Sequence, residues 1–386
     1  MSGSRPFRAG ERGPRPGAAR GVPSWLSIRR PALLAVATAA LLVAAALVVG
    51  LMPRPGGPAR TIVASVPYWN IGAGTDTTLA NRQDFTGASP WLFGLDAEGR
   101  VVPLYGPSDT KAVTDGLARL RGGGLNLVPT LANVVNGRFS DQPVASIMRE
   151  PAARAAHIAA IVALVTERGF GGIDIDYEEL SAGDRTAFTE FVSDLAAALH
   201  GRGKTLSVAL FAKTTDAGYD QRNLAQDYAA VGRVADEVRL MAYDYHWAAS
   251  APGPVAPVGW VQNVLAYART QIPPAKIVLG IPLSGYDWPA GGDGTVVTTQ
   301  QVAQLVAQHQ AVVRFDARSQ SPTLSYDDSA GRFHQVWFEN AASTRAKLDA
   351  ARAAGIGGVY FWMYGPADPG TWAQLSEAFP RATGGR

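Results

Sequence analysis

The sequence predicts an α/β chain closed into a (β/α)8 TIM barrel, on three observations. Eight short apolar runs of β-type residues are spread over residues 61–380. Amphipathic helical patterns stand between most of them, the alternation expected of a parallel barrel. No run is followed by the G-x-G-x-x-G turn that marks an open doubly wound sheet, and Gly122-Gly123-Gly124 precedes a strand rather than a helix. The same reading expects one transmembrane helix before the barrel and a small α+β insertion within it.

In chain order, the 21 residues 32–52 are uncharged and mostly Ala, Leu and Val. At about 1.5 Å per residue they match the roughly 30 Å hydrocarbon core of a bilayer. Seven Arg and one Glu precede the run, and only Arg54 and Arg60 follow closely. That asymmetry places residues 1–31 in the cytoplasm as a basic tail and the remainder outside the cell membrane. A cleaved signal peptide would carry a shorter apolar stretch ending in small-x-small, whereas this one closes with Gly50-Leu51-Met52-Pro53. The expectation is a single-pass anchor, or a secreted domain if the segment is cleaved. Residues 53–60 form a Pro/Gly linker.

The expected barrel strands are 61–67, 91–95, 125–131, 172–177, 206–211, 238–243, 277–282 and 358–362. The expected helices are 109–121, 152–168, 184–202, 223–235, 258–271 and 342–354. Residues 288–338 break the alternation, with strand-like patches at 311–315 and 334–338. They read as an insertion on the loop face, where insertions shape a cleft. Residues 381–386 are a short tail.

Charge and cysteine remove whole function classes. The chain carries +3 overall, but residues after 52 hold 28 basic against 31 acidic side chains, which excludes a nucleic-acid-binding domain. The absence of Cys excludes disulfides, thiolate nucleophiles and Cys-ligated metals, and the five His contain no i, i+4 pair. No metal or organic cofactor is expected. Ser284 lacks a G-x-S-x-G elbow, so a serine nucleophile is also set aside.

The sharpest feature is Gly171-Gly172-Ile173-Asp174-Ile175-Asp176-Tyr177-Glu178-Glu179. Strand alternation sends Asp174, Asp176 and Glu178 to one face and Ile173, Ile175 and Tyr177 to the other. In a barrel the apolar set packs under the helices, and the acids climb the interior toward the C-terminal mouth. Three such carboxylates cannot all ionise cheaply, so they are expected to share protons, with the outermost, Glu178, held protonated as a general acid. A solvated acidic strand would not need Ile at the alternate positions. A cation site would need further oxygen ligands from other loops. Glu179, on the opposite face, is expected to be structural.

Residues 172–178 resemble the D-G-x-D-x-D-x-E signature of family-18 glycoside hydrolases, the chitinase-like (β/α)8 enzymes, with Gly171 standing where the family has its first Asp. Leu240-Met241-Ala242-Tyr243-Asp244 is similar to the family's M-x-Y-D strand, and Gly357-Gly358-Val359-Tyr360-Phe361-Trp362 to its closing strand. Val66-Pro67-Tyr68-Trp69 and Ala251-Pro252-Gly253-Pro254 resemble the bacterial spore-cortex and cell-wall subgroup. The similarity covers residues 61–380. It implies Glu178, Asp176, Asp174 and Tyr243 as catalytic residues in a retaining, substrate-assisted reaction on 2-acetamido sugars. It also implies substrate binding by Asp244, Met241 and the Trp362 platform.

Tyr68 and Trp69 after the first strand are expected to line the cleft. The same loop-face argument extends to Trp247, Tyr286 and Trp288, with His246 a packed loop residue. The resulting expectation is a monomeric hydrolase of β-1,4-linked N-acetylglucosamine glycans at the cell envelope, peptidoglycan being favoured over chitin. The competing class is an inactive, lectin-like barrel, against which the presence of Glu178 weighs.

Overall fold

The structure, a computed structural model, describes residues 60–218 and 220–381. The expected anchor at residues 32–52 lies outside them. Among the described residues, no helix is long and apolar enough to cross a membrane.

Eight parallel strands form the barrel: β1 (Thr61–Pro67), β2 (Gly87–Leu95), β3 (Asn126–Leu127 and Thr130–Ala132), β4 (Gly172–Asp176), β5 (Thr205–Phe211), β6 (Glu237–Met241), β7 (Ile277–Pro282) and β8 (Gly358–Trp362). β1 closes the ring by pairing with β8, Thr61 opposite Gly358, and with β2, Val63 opposite Gly87. Both faces of these strands are buried, which is why they read as continuous apolar runs. Eight helices follow the strands: α1 (Ile71–Ala80), α2 (Thr110–Gly122), α3 (Pro151–Glu167), α4 (Arg185–His200), α5 (Tyr228–Val234), α6 (Val258–Gln271), α7 (Ala341–Ala354) and α8 (Thr371–Ala378).

The expected element order is that of the barrel, with local differences that have physical causes. β3 is interrupted at Val128-Pro129, where proline supplies no backbone donor. The helix expected at 223–235 is two helices, Gln221–Ala225 and α5, because Asp227 restarts it as an N-cap, accepting from the Ala230 N–H at 2.8 Å. β4 and β6 end short of their expected limits. Beyond them Glu179 (φ 57°) and Asp244 (φ 55°) adopt left-handed backbone, which turns the chain out of the sheet.

The insertion is larger than expected and begins earlier, at Ser284. It is a five-stranded antiparallel sheet in the spatial order Thr295–Thr298, Ser284–Pro289, Phe333–Trp337, Ser321–Asp327, Arg314–Asp316. One helix, Thr299–His309, belongs to it, opened by a Thr298/Gln301 capping box.

Packing fixes the register of the acid-bearing strand. Ile173, Ile175 and Tyr177 are fully buried in the layer between barrel and helices. A one-residue slip would exchange them with the acids and forfeit roughly 5–9 kcal/mol of apolar burial. The barrel interior is polar by contrast, with Ser89, Thr130, Asp174, Ser207 and Arg239 all buried there.

Candidate active site

At the C-terminal mouth lies a cleft of about 500 Å³. Its acidic wall is the β4 ladder, each rung of which a different strand holds. At the lowest rung, Asp174 Oδ2 accepts from Thr130 Oγ1 on β3 at 2.9 Å and pairs with the Arg239 guanidinium on β6 at 3.3 Å. Arg239 also donates to Ser89 Oγ on β2 at 2.7 Å and to Glu237 at 3.2 Å. Asp174 therefore has a cation of its own. That contact sets Asp174 apart from the two acids above it, whose carboxylates have no Arg or Lys in contact among the described residues.

In the middle rung, Asp176 Oδ2 accepts from the Trp91 indole N–H on β2 at 3.1 Å, while Oδ1 is buried with no partner. Burial raises the Asp176 pKa most, the Asp174 charge raises it further, and the Trp91 hydrogen bond and the nearby Glu178 carboxyl oppose the shift. Glu178 is also held well above the ordinary carboxylate range, by burial first and then by the charges of Asp176 and Glu179, with Arg222 opposing. Such an arrangement lets one carboxyl keep its proton at neutral pH beside an acceptor. The Glu178 backbone is clamped by Asn133 after β3: its N–H donates to Asn133 Oδ1 at 2.8 Å, and Asn133 Nδ2 donates to its carbonyl at 2.7 Å. Gln226 performs a similar service one residue earlier, donating to the Tyr177 carbonyl and accepting from the Phe211 N–H at the end of β5.

The floor is a box of three indoles, Trp69 from the turn after β1, Trp91 from within β2 and Trp362 from the end of β8. Trp69, Trp91 and Trp362 meet edge to face with centroids 5.7–6.3 Å apart. Opposite, Met241, Tyr243 and Asp244 leave β6. Tyr243 shares a hydrogen bond of 2.9 Å with Tyr360, and burial holds its phenol in the protonated form. Asp244 accepts from Tyr286 at 3.0 Å. Although open to solvent at the mouth, it is crowded enough by the cleft walls that its pKa rises to about 6.

The structure thus brings together Glu178, Asp176, Tyr243, Asp244, Met241, Trp69 and Trp362 around one cavity. Asp174 lies beneath it, and Tyr286 reaches it only through Asp244. Two aromatic expectations are corrected. Tyr68 packs on the core beside Tyr105, because a 3₁₀ turn rotates successive side chains by about 120° and only Trp69 faces inward. Trp288 is buried under the 291–294 turn, where a Cβ on Gly294 would strike its ring. Sequence reasoning missed Trp91, Asn133, Gln226, Arg222 and Arg239. Glu179 is bound to Arg222 at 2.8 Å, and both line the cleft. At Gly171, where the resemblance has Asp, a Cβ would meet the end of the exposed Asn126 side chain, which would have to turn aside. Among the described residues no three His, Asp or Glu side chains converge as a metal site.

A closed barrel with this carboxyl ladder beside an indole floor is the scaffold of a glycoside hydrolase. The chain belongs to the glycosyl hydrolases family 18, whose family model matches residues 134–366. It is similar to the cortical fragment-lytic enzyme of Bacillus subtilis, at 31% identity over 76% of this chain and 69% of that one. Among solved structures it is similar to the Bacillus cereus spore cortex-lytic enzyme SleL (TM-score 0.76, 28% identity, 85% of this chain and 76% of that one). It is likewise similar to a chitinase from Chromobacterium violaceum (TM-score 0.74, 30% identity, 83% and 99%). The matched segment takes in only 59–69% of the length of the curated sporulation and spore-cortex relatives.

Proposed function

We propose that this glycoside hydrolase cleaves β-1,4-linked N-acetylglucosamine-containing glycans of the cell envelope, peptidoglycan first, by a retaining, substrate-assisted reaction. The observation that carries the reading is the Asp176–Glu178 pair, both shifted toward protonation, beside the Tyr243 hydroxyl and above three indoles. Glu178 gives its proton to the glycosidic oxygen as the anomeric C–O bond breaks. The carbonyl oxygen of the substrate's own 2-acetamido group forms the new bond to the anomeric carbon from the opposite face. Asp176 accepts the acetamido N–H and stabilises the positive charge that develops there, while Tyr243 donates to the acetamido oxygen and orients it. Glu178, now a carboxylate, takes a proton from water, which opens the ring intermediate with net retention. Asp174 and Arg239 keep the ladder in register without touching substrate.

Peptidoglycan is favoured over chitin by the spore-cortex relatives and by the basic tail and apolar segment at residues 1–52, which suit a domain tethered outside the cell membrane beside the wall. The test is hydrolysis of fluorogenic N-acetylglucosamine oligomers and of purified peptidoglycan, wild type beside Glu178→Gln. Turnover by the wild type should fall by about 10²–10⁴ in the variant, with an unchanged melting temperature. Absence of wild-type turnover on both substrates would refute the proposal.

A further inference from the structure

The insertion helix covers one face of its sheet and leaves much of the other open. Val297, Val302, Leu324, Val336 and Phe338 form a small core there, with Leu305 and Val306 of the Thr299–His309 helix packed against it. Alternation along the neighbouring strand puts Phe333, Gln335 and Trp337 on the other face. The register extends that face sideways, because directly opposed residues point the same way. Trp337 lies opposite Tyr286 on one side and Thr323 on the other, and Gln335 lies opposite Ser325 and, on the Tyr286 side, Trp288, which is buried under the 291–294 turn. Tyr286 is the residue that donates to Asp244 in the cleft. The uncovered part of this face therefore begins beside Tyr286, which touches the cleft through Asp244, and runs about 13 Å from Trp337 to Phe333.

Two properties distinguish this region from the rest of the surface. Among the described residues, the exposed large hydrophobic side chains are Trp69, Tyr245 and Trp247 on the loops after β1 and β6, and Val312, Val313, Phe315 and Phe333 on the insertion. Of these, Phe333 stands on the uncovered face, where Trp337 is half-buried, whereas Phe315, opposite Pro322, points to the other face; an exposed ring beside unclaimed polar groups suits a binding surface. The hydrogen-bonding ends nearby are also unclaimed: Gln310, Arg314, Ser325, Gln335 and the Trp337 indole N–H have no protein partner and border a cavity of about 620 Å³.

We propose that this face is a second carbohydrate-binding site, which holds the same N-acetylated glycan chain outside the cleavage subsites. The inference rests on the hydrolase reading of the cleft, from which the face continues. Its chemistry suits a sugar polymer. Aromatic rings meet the C–H faces of pyranoses, and the amide, hydroxyl and guanidinium groups between them meet hydroxyl and acetamido groups. An apolar protein partner would bury Gln335 and Ser325 unpaired, which is costly.

The test is a Phe333→Ala/Trp337→Ala double variant of the full chain. In a Glu178→Gln background, retention on insoluble chitin and on purified peptidoglycan should fall about tenfold. In the active background, hydrolysis of a soluble N-acetylglucosamine tetramer should stay within about twofold of wild type, since the cleft is untouched. Unchanged retention on both polymers would overturn the proposal. Equal losses on tetramer and polymer would overturn it too, by placing Trp337 within the cleavage subsites. Should the double variant fail to fold, Gln335→Ala gives a second reading, with a retention loss of about threefold expected. Because retention is read without turnover, a wild type that hydrolyses nothing refutes the hydrolase reading separately.

Discussion

Replacing Arg239 by Met preserves much of the stem and removes the guanidinium from the middle of the barrel. Asp174 and Arg239 have side-chain exposures of 5% and 3%, so water cannot take over the vacated contacts. Ser89 Oγ and Glu237 lose the same donor group. Breaking a buried pair from one end costs about 3–5 kcal/mol, because it leaves an uncompensated charge in a low-dielectric site. At about 2–4 °C per kcal/mol for a domain of this size, the melting temperature should fall by roughly 6–20 °C. Adding Asp174→Asn removes that stranded charge, so the double variant should recover most of the loss. A cycle of the two single variants and the double, followed by chemical denaturation, should give a coupling energy of at least about 2 kcal/mol. A single variant within about 1 kcal/mol of wild type, or a double as unstable as the sum of the singles, would refute the claim that Arg239 neutralises the lowest rung.

Two further predictions concern the rungs above and behind. Trp91→Phe keeps a ring in the indole box but removes the N–H that favours ionised Asp176. The Asp176 pKa should rise by about one unit more, and the acidic limb of the kcat/KM profile should move up with it; an unmoved limb would remove Trp91 from the electrostatics of the site. His157 on α3 hydrogen-bonds the Tyr177 hydroxyl at 2.7 Å behind β4, and burial lowers its pKa to about 4. Its folded-state pKa lies below the unfolded value near 6.5, so its contribution is complete above pH 6.5 and is lost as the pH falls through 4. Against His157→Gln, the wild type should lose up to about 3 kcal/mol of stability across that window. Parallel stability curves for the two proteins would contradict this account.

What could be read from the chain follows how local each signal is. β1, β7 and β8 have the limits their apolar runs suggest, because strands buried on both faces leave no polar residue to blur the edge. α1 escaped notice because Ile71–Ala80 is rich in Gly and Thr and has no apolar stripe. The insertion strand Ser284–Pro289 did so because Gly, Asp and two Pro surround its aromatics. In the site, the acids were visible since alternation acts over neighbouring residues. Their keepers were not: Trp91, Asn133 and Arg239 stand 85, 45 and 65 residues from Asp176, Glu178 and Asp174, and only barrel closure brings them together. Tyr68 shows the converse, a residue at the right strand end that a single 3₁₀ step turns away.

The cross-barrel tie between Asp174 and Arg239 also bears on the order in which the protein can become competent during synthesis. When β4 has left the ribosome, all three acids exist, but the guanidinium that neutralises the lowest lies on β6 and has yet to be made. Until the sixth strand docks, a half-built sheet must leave Asp174 without its cation, even where Ile173 and Ile175 already hold the register of their strand. Catalytic competence therefore arrives late and all at once, and recovery of turnover on refolding would report closure of the whole ring rather than formation of the acid-bearing strand.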